Sequence, residues 1–562
     1  MIVMKNIINK KYWFFLSISL LVITACNKSF LEKPPTDAIV DANFYQTDNQ
    51  VLAATALLYS RVWFDYNDKA SYNLGDFRGG SAFDPWNDRG NVLFNTTPDN
   101  GENGASWRSF FIVVGQSNLA IDKINKYAGP QVSPEIKSMA IAEARFMRAL
   151  AYRFLVMNWG AVPIIENNLT LLSDTTVQRN TPESVWRFIT NEMRAVSEVL
   201  PTTPIKEGRI TKWSAEGMLA RFYLTMSGLG SSNGARNQTY LDSAKYYADR
   251  VITQSGNSLL TDYAKLFLYP YDNNSESLFS LQWVYSPGAW GTQNSTPAYL
   301  AYSSDIANGD GWGGSKGASW WMISLYDGIN VTPTGMEGRT LDQRLKATFM
   351  LPGAHYSEIT QTSDGVTKKL IYPFTGSDNN MAAIKKYVTG KAVDVGGNAA
   401  SQNYGNDTYM LRLAEMYLIY AEAVLGNNAS TTDAKALEYF NKVHKRAGLP
   451  EFIDPLTFDD IFYEKIKEFA LEGMAWYDFV SLHYYNPQKA YAILNSQDRG
   501  LFFIEPDQFP NPTQWTFTKT EWVAETDRKI NANSGNFLLP IPSAELSQAP
   551  NLLKEPVDYF NK

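Results

Sequence analysis

The residues whose types suggest chemistry are concentrated in GDGWGGSKGASWWM, residues 309–322, where Trp312 stands between Gly311 and Gly313 beside Asp310. Glycine neighbours offer an indole no side chains to bury it. An exposed indole can pack on the apolar C–H face of a sugar ring, while nearby Asp, Asn, Gln or Arg groups take the hydroxyls. The same mixture recurs in two stretches. In FDYNDKASYNLGDFRGGSAFDPWNDRGNVLFNTTPDN (64–100) the candidates are Asp76, Arg78, Trp86, Asn87, Phe94 and Asn100. In the second they are Trp283, Tyr285, Trp290, Tyr299, Tyr302, Asp310 and Trp312. Each ring has an alternative as the plug of a satellite apolar cluster. Trp283 follows a strand-like alternation that also allows it to face inward, and Trp107 and Trp159, inside helical patterns, are assigned to the core. Ser319 is a cap candidate for a short helix beginning SWWMISLY, which makes Trp320 and Trp321 anchors rather than ligand platforms.

Other chemistries lack their parts. The three histidines, His355, His444 and His483, have no ligand spacing to one another or to a cysteine, so neither a metal site nor a His-dependent nucleophile is expected. No G-x-S-x-G elbow or phosphate loop occurs. A glycoside hydrolase needs only two carboxylates. Glu143, Glu415, Glu422 and Glu472, however, sit in helical patterns near Arg145 and Arg412, where structural ion pairs are the better assignment. No catalytic residue and no cofactor is therefore assigned. The net charge of −7 mixes 57 acidic with 50 basic residues without a long basic run, which argues against nucleic acid as a partner.

The elements that must position the aromatic stretches are helices. FYQTDNQVLAATALLYSRVW, MAIAEARFMRALAYRFLVMNW, TPESVWRFITNEMRAVSEVL, RITKWSAEGMLARFYLTM and TYLDSAKYYADRVI each carry apolar or small residues at three- and four-residue steps. Leu411, Ala414, Leu418, Ala421 and Leu425 repeat that spacing before Gly426, and Ala436, Phe440, Val443 and Ala447 repeat it before Gly448. This pair reads as a helical hairpin of tetratricopeptide-like length, which must stack on a neighbour to bury its apolar face. The expectation is a mainly α chain, with a helical scaffold over about 41–255 and 405–480. A loop-rich region with short strands spans about 256–404, and a C-terminal segment spans 481–562.

At the amino terminus, Lys5, Lys10 and Lys11 precede the apolar run YWFFLSISLLVI, and ITAC ends in Cys26, the single cysteine of the chain. This resembles a lipoprotein signal over 1–25, with Cys26 acylated as the anchor and 26–40 as a strap. A lone cysteine at the cleavage point of an exported chain is best explained by lipidation.

Together these segments resemble the SusD/RagB family of lipid-anchored nutrient-binding subunits of outer-membrane importers. The resemblance rests on EARFMRALAYRFLVMNWGAVPII, GRITKWSAEGMLARFYL, LRLAEMYLIYAEAVLGN with NKVHKRAGLP, EFALEGMAWYDFV and NFLLPIPSAELSQAPNLLKEP. His444, Lys467 and Ala475 depart from arginines common in the family at scaffold positions. The resemblance implies a single SusD-like domain over 41–562, a ligand site built from the two aromatic stretches and no enzymatic activity. It also implies an oligosaccharide ligand and a SusC-type TonB-dependent transporter as partner on the outer face of the outer membrane. Peptide capture by the same mechanics, and a helical-repeat scaffold that binds only protein, are the alternatives.

Overall fold

The computed structural model describes residues 40–84, 89–172, 176–231, 234–288, 290–332, 335–338, 340–351, 353–372, 382–500, 502–504, 517–521 and 528–561. The leader, Cys26 and nearly all of the strap, together with Trp86 and Asn87, lie outside the described residues.

The scaffold is a stack of helices whose starts follow from capping chemistry. After α1 (Asp48–Ala56), α2 (Gly101–Tyr127) and α3 (Pro134–Trp159) form the first long antiparallel pair. The Ser133 side chain accepts from Ile136 N at 3.4 Å, and Pro134 fills the first position, where no donor is needed. Ala140, Ala142, Ala144, Ala149 and Ala151 are all buried on α3, so its neighbours approach closely from several sides. α4 (Pro182–Val199) begins in the same way, with Thr181 accepting from Ser184 N at 3.2 Å. α5 (Lys212–Met226) and α6 (Gln238–Gln254) continue the stack.

The next layer comes from much later in the chain. α6 packs directly on α7 (Leu413–Leu425), which packs on α8 (Ala434–Arg446). Ala414, Leu418, Ala421, Leu425, Ala436, Phe440 and Val443 form one buried cluster, so the spacing read from the sequence does define the face of this hairpin. Leu411 belongs to the strand that precedes the helix. Asp433 caps α8 by accepting from Ala436 N at 2.8 Å. α9 (Phe458–Phe469) and α10 (Ala475–His483) complete the scaffold.

Residues 255–412 are thus an excursion from a helical stack that is otherwise continuous. Its neck is closed by antiparallel pairing of β1 (Ser277–Leu281) with β4 (Thr408–Arg412), in which Thr408 lies opposite Leu281 and Arg412 opposite Ser277. Between them lie the hairpin strands β2 (His355–Ser363) and β3 (Val366–Ile371). Beside the neck, Arg412 pairs with Glu276 at 2.5 Å, Glu468 at 3.0 Å and Glu472 at 2.7 Å, all fully or almost fully buried. Arg446 bridges Glu276 and Glu468, and Arg344 bridges Asp342, Glu464 and Glu468. A buried network of this kind rewards one geometry, because leaving any member unpaired strands a charge in low dielectric.

Two local outcomes differ from the expectation. The first predicted helix ends at Ala56 and continues as two tight 3-10 turns, Leu57–Tyr59 and Arg61–Trp63. Tyr66–Phe77, expected to be irregular, winds as a 12-residue π-helix that is buried almost throughout. The wide helix is held by its contacts. Gly75 lies so close to Gly473 that an added Cβ would sit 2.3 Å from the Gly473 carbonyl carbon.

Candidate ligand-binding site

One cavity of about 330 Å³ gathers residues from five separate segments. The π-helix supplies Asp68 and Lys69, the first turn of α2 supplies Glu102, and the excursion supplies Trp290, Ser295, Tyr299, Trp312, Lys316 and Gln402. The two indoles are its distinctive feature. Trp312 is 61% exposed and Trp290 58% exposed, whereas the other tryptophans of the second stretch, Trp283, Trp320 and Trp321, are buried. Exposed indoles on a shared concave surface form a platform for a flat apolar face.

The loop that presents Trp312 is pinned by its backbone. Trp312 N donates to Ala298 O at 2.9 Å, and Gly313 N donates to Ala301 O at 2.8 Å. The flanking glycines are required by this close approach. A Cβ at Gly311 would lie 2.5 Å from the Ser303 carbonyl carbon, and one at Gly313 would lie 2.1 Å from Leu300 O. Lys316 Nζ donates back to Trp312 O at 2.7 Å, sits 4.1 Å from the Tyr299 ring centre and reaches Asp84 at 3.5 Å. Trp290 is supported from behind: its ring meets Phe64 edge-on at 5.4 Å, and Phe64 meets Trp283 at 6.4 Å.

The polar wall is balanced, with Asp68 and Glu102 against Lys69 and Lys316. Ser295 Oγ donates to Asp68 at 2.5 Å, and burial pushes the Asp68 carboxyl above its ordinary range against that hydrogen bond. Asp310, buried behind the loop, accepts from Gln402 N and from Ser401 Oγ, and burial raises its pKa as well. Its work is therefore to hold the turn that carries Gln402 to the cavity.

The remaining sequence candidates divide by burial. Trp283 is 4% exposed, with its indole N–H donating to Thr408 Oγ1 at 3.0 Å; it braces Phe64 and is not a platform. Asp76 is fully buried and accepts from Leu471 N and Gly473 N, both at 2.8 Å, and from Ser81 Oγ at 2.9 Å, tying the π-helix to the turn before α10. Burial brings its carboxyl to about 7 against those donors. Arg78, also fully buried, donates to Asn536 O and Phe537 O and lies between the rings of Phe94 and Trp476, at 4.2 and 4.6 Å. Desolvation lowers its guanidinium to about 9. Phe94 is buried beneath it, and the Asn100 side chain caps α2 by accepting from Asn103 N at 2.8 Å. These four are fold contacts, because none lines the cavity. Tyr302 is buried, and Tyr285 is half-buried away from the lining.

Sequence reasoning missed Asp68, Lys69, Glu102, Ser295, Lys316 and Gln402 as lining groups. Asp68 and Ser295 are 227 residues apart, and no local pattern joins them. Trp107, Trp159, Trp320 and Trp321 are core residues as expected, and Ser319 caps the short helix by accepting from Met322 N at 3.0 Å. Glu143 pairs with Arg209, Glu415 with Arg221, Glu422 with Arg236 and Glu472 with Arg412. His444 stacks on Phe440 and meets Glu464 at 3.2 Å, while Lys467 approaches Glu464 and Asp327, so these substituted positions lie in scaffold ion pairing. Among the described residues no cluster of His, Cys, Asp and Glu fits a metal ion, and no helix is long and apolar enough to cross a membrane.

Comparison with known proteins agrees with this architecture. A family model described as the SusD family matches residues 275–557, and one described as starch-binding associating with outer membrane matches residues 30–224. A SusD-like protein of Bacteroides ovatus is 35% identical over 558 residues, covering 96% of this chain and 97% of that protein. The chain belongs to the SusD family. The starch-binding protein SusD of Bacteroides thetaiotaomicron is 25% identical over 381 residues, covering 62% of this chain and 65% of that protein. A crystal structure with xylogluco-oligosaccharide superposes with a TM-score of 0.78 at 34% identity, covering 91% of this chain and 100% of that one. A laminarin-binding SusD-like protein, 22% identical with a TM-score of 0.64 over 90% of this chain and 98% of that one, shares the fold. SusD family members are carbohydrate-binding proteins, not enzymes.

Proposed function

We propose that this SusD-family chain binds a neutral oligosaccharide across Trp290 and Trp312 and passes it to a SusC-type TonB-dependent transporter. The observation that carries the reading is the pair of exposed indoles on one cavity whose acids and bases balance. Apolar ring faces favour the C–H side of a pyranose, and a wall with both donors and acceptors suits hydroxyls without demanding a charged ligand. The relative bound to xylogluco-oligosaccharide supports a β-glucan-type chain as the first ligand to try. Trp86 and Asn87 remain part of the proposed ligand surface.

The proposed setting is the outer face of the outer membrane, with acylated Cys26 as anchor. Affinity electrophoresis through gels containing xyloglucan, mixed-linkage β-glucan or starch tests the binding. Retardation by at least one neutral polysaccharide is expected, and free migration through all of them would refute the reading. Cys26→Ser tests the anchor, which predicts loss of the chain from the membrane fraction. Co-purification of the wild-type chain with a large β-barrel transporter from detergent extracts tests the partner.

A further inference from the structure

A second cleft, of about 650 Å³, opens on another part of the excursion, between the 3-10 turn Tyr263–Phe267, the short helix Gln343–Thr348 and the start of β2. Its chemistry differs from that of the indole cavity, since it has an aromatic and aliphatic floor with ammonium groups around it. Tyr271 is 38% exposed and Leu341 67% exposed at the rim. Tyr356 is fixed in the floor by its hydroxyl, which donates to Lys346 O and Phe349 O at 3.1 Å.

Three lysines surround this floor. Lys265 Nζ lies 5.6 Å from the Tyr271 ring centre, and Lys346 and Lys385 lie 5.5 and 5.7 Å from that of Tyr356. The three carboxylates of the cleft each have a partner. Asp342 is chelated by Arg344 at 2.7 and 2.9 Å, Asp262 caps Ala264 N at 3.0 Å, and Glu358 meets Lys385 at 3.4 Å. Among the described residues this leaves Lys265 and Lys346 with no carboxylate within ion-pair reach. Lys385 is buried, its ammonium held below the ordinary range by desolvation and further by the charge of Lys346, with Glu358 opposing. Lys265 and Lys346 both line the cleft and so offer charged donors to an entering anion.

We infer that this cleft is a second ligand site, which takes a uronate sugar residue, with Tyr271 and Leu341 against the ring and Lys265 and Lys346 on its carboxylate. A bare anion would use the lysines but gain nothing from the exposed aromatic and aliphatic rim. The inference does not depend on neutral-glycan binding at the indole cavity.

Titration calorimetry of the soluble chain lacking its lipid, using trigalacturonate, inorganic sulfate and a neutral xylogluco-oligosaccharide as separate probes, tests the inference. Trigalacturonate should bind, with affinity falling as salt rises. Lys265→Gln with Lys346→Gln should weaken it about tenfold, the sum expected for two exposed charge contacts. The same double variant should leave the neutral oligosaccharide unaffected, and Trp290→Ala with Trp312→Ala should leave trigalacturonate unaffected. Both lysines lie at the surface or partly so, and an unchanged melting temperature would verify that the variant folds. Three results would overturn the inference: no trigalacturonate binding, binding insensitive to the lysine pair, or sulfate binding as tightly as trigalacturonate.

Discussion

Removing the two exposed indoles should separate affinity from stability. A tryptophan side chain offers about 150–250 Å² to a contact, and Trp312 and Trp290 leave 61% and 58% of themselves open. A sugar stacked on one face covers roughly half of that open area, about 60 Å² per ring. At about 25 cal/mol per Å², each ring contributes about 1.5 kcal/mol, or roughly tenfold in affinity. Trp312→Ala or Trp290→Ala should each weaken xylogluco-oligosaccharide binding about tenfold, and the double variant about a hundredfold if the rings act independently. The same exposure means that little packing is lost on truncation. Trp290 gives up an edge contact with Phe64, and Trp312 loses a ring whose backbone stays pinned to Ala298. Calorimetry measures the affinity and differential scanning calorimetry the melting temperature. Unchanged affinity in the double variant would refute the platform. A fall in melting temperature as large as that of a core truncation would show that the rings serve the fold.

Gly313→Ala keeps Trp312 but pushes a Cβ onto Leu300 O, so it should weaken glycan binding about as much as Trp312→Ala and alter tryptophan fluorescence, with the fold retained by far-UV dichroism. Glu468→Gln removes the carboxylate shared by Arg344, Arg412 and Arg446 and should cost about 3–5 kcal/mol in denaturant unfolding, because three guanidinium groups then share fewer charges. His483 is held by burial at about 4 against an ordinary 6.5, stacked on Phe537 at 3.7 Å. Its folded pKa is depressed, so the unfolded chain takes up the proton first, and stability falls as the pH drops from about 6.5 to about 4. The unfolding midpoint of His483→Phe should decline less over that window, and an identical pH profile would count against the assignment.

The scaffold was legible because helix spacing and capping are local signals. The Leu418 and Phe440 faces meet as their spacing requires, and Ser319 caps the short helix that follows it. The site was legible only in part. The exposure of Trp312 could be read because glycines cannot bury a ring. Asp76, Arg78 and Phe94 carry the same mixture of charge, aromatic ring and glycine, yet they close over one another. Composition cannot distinguish a polar network that faces a ligand from one that faces the turn at 471–473 and the carbonyls of 536–537. The π-helix was invisible for a related reason, since its stability comes from contacts with α10 and the preceding turn. The lysine and acid groups of the indole cavity meet only through the fold, because the excursion brings 290–316 against residues 68 and 102.

The glycines around Trp312 carry a further consequence for adaptation. Position 312 behaves as a socket: its main chain is clamped on both sides, while most of its side chain is open to the solvent and whatever arrives there. Exchanging that single ring for Tyr, His or Gln should retune which polymer is retained while leaving the foundation intact, whereas changes one residue to either side would disturb the mounting itself. On the proposed reading, selectivity would drift by single steps at 312, and directed variation at that one position would be an economical route to a receptor with altered taste.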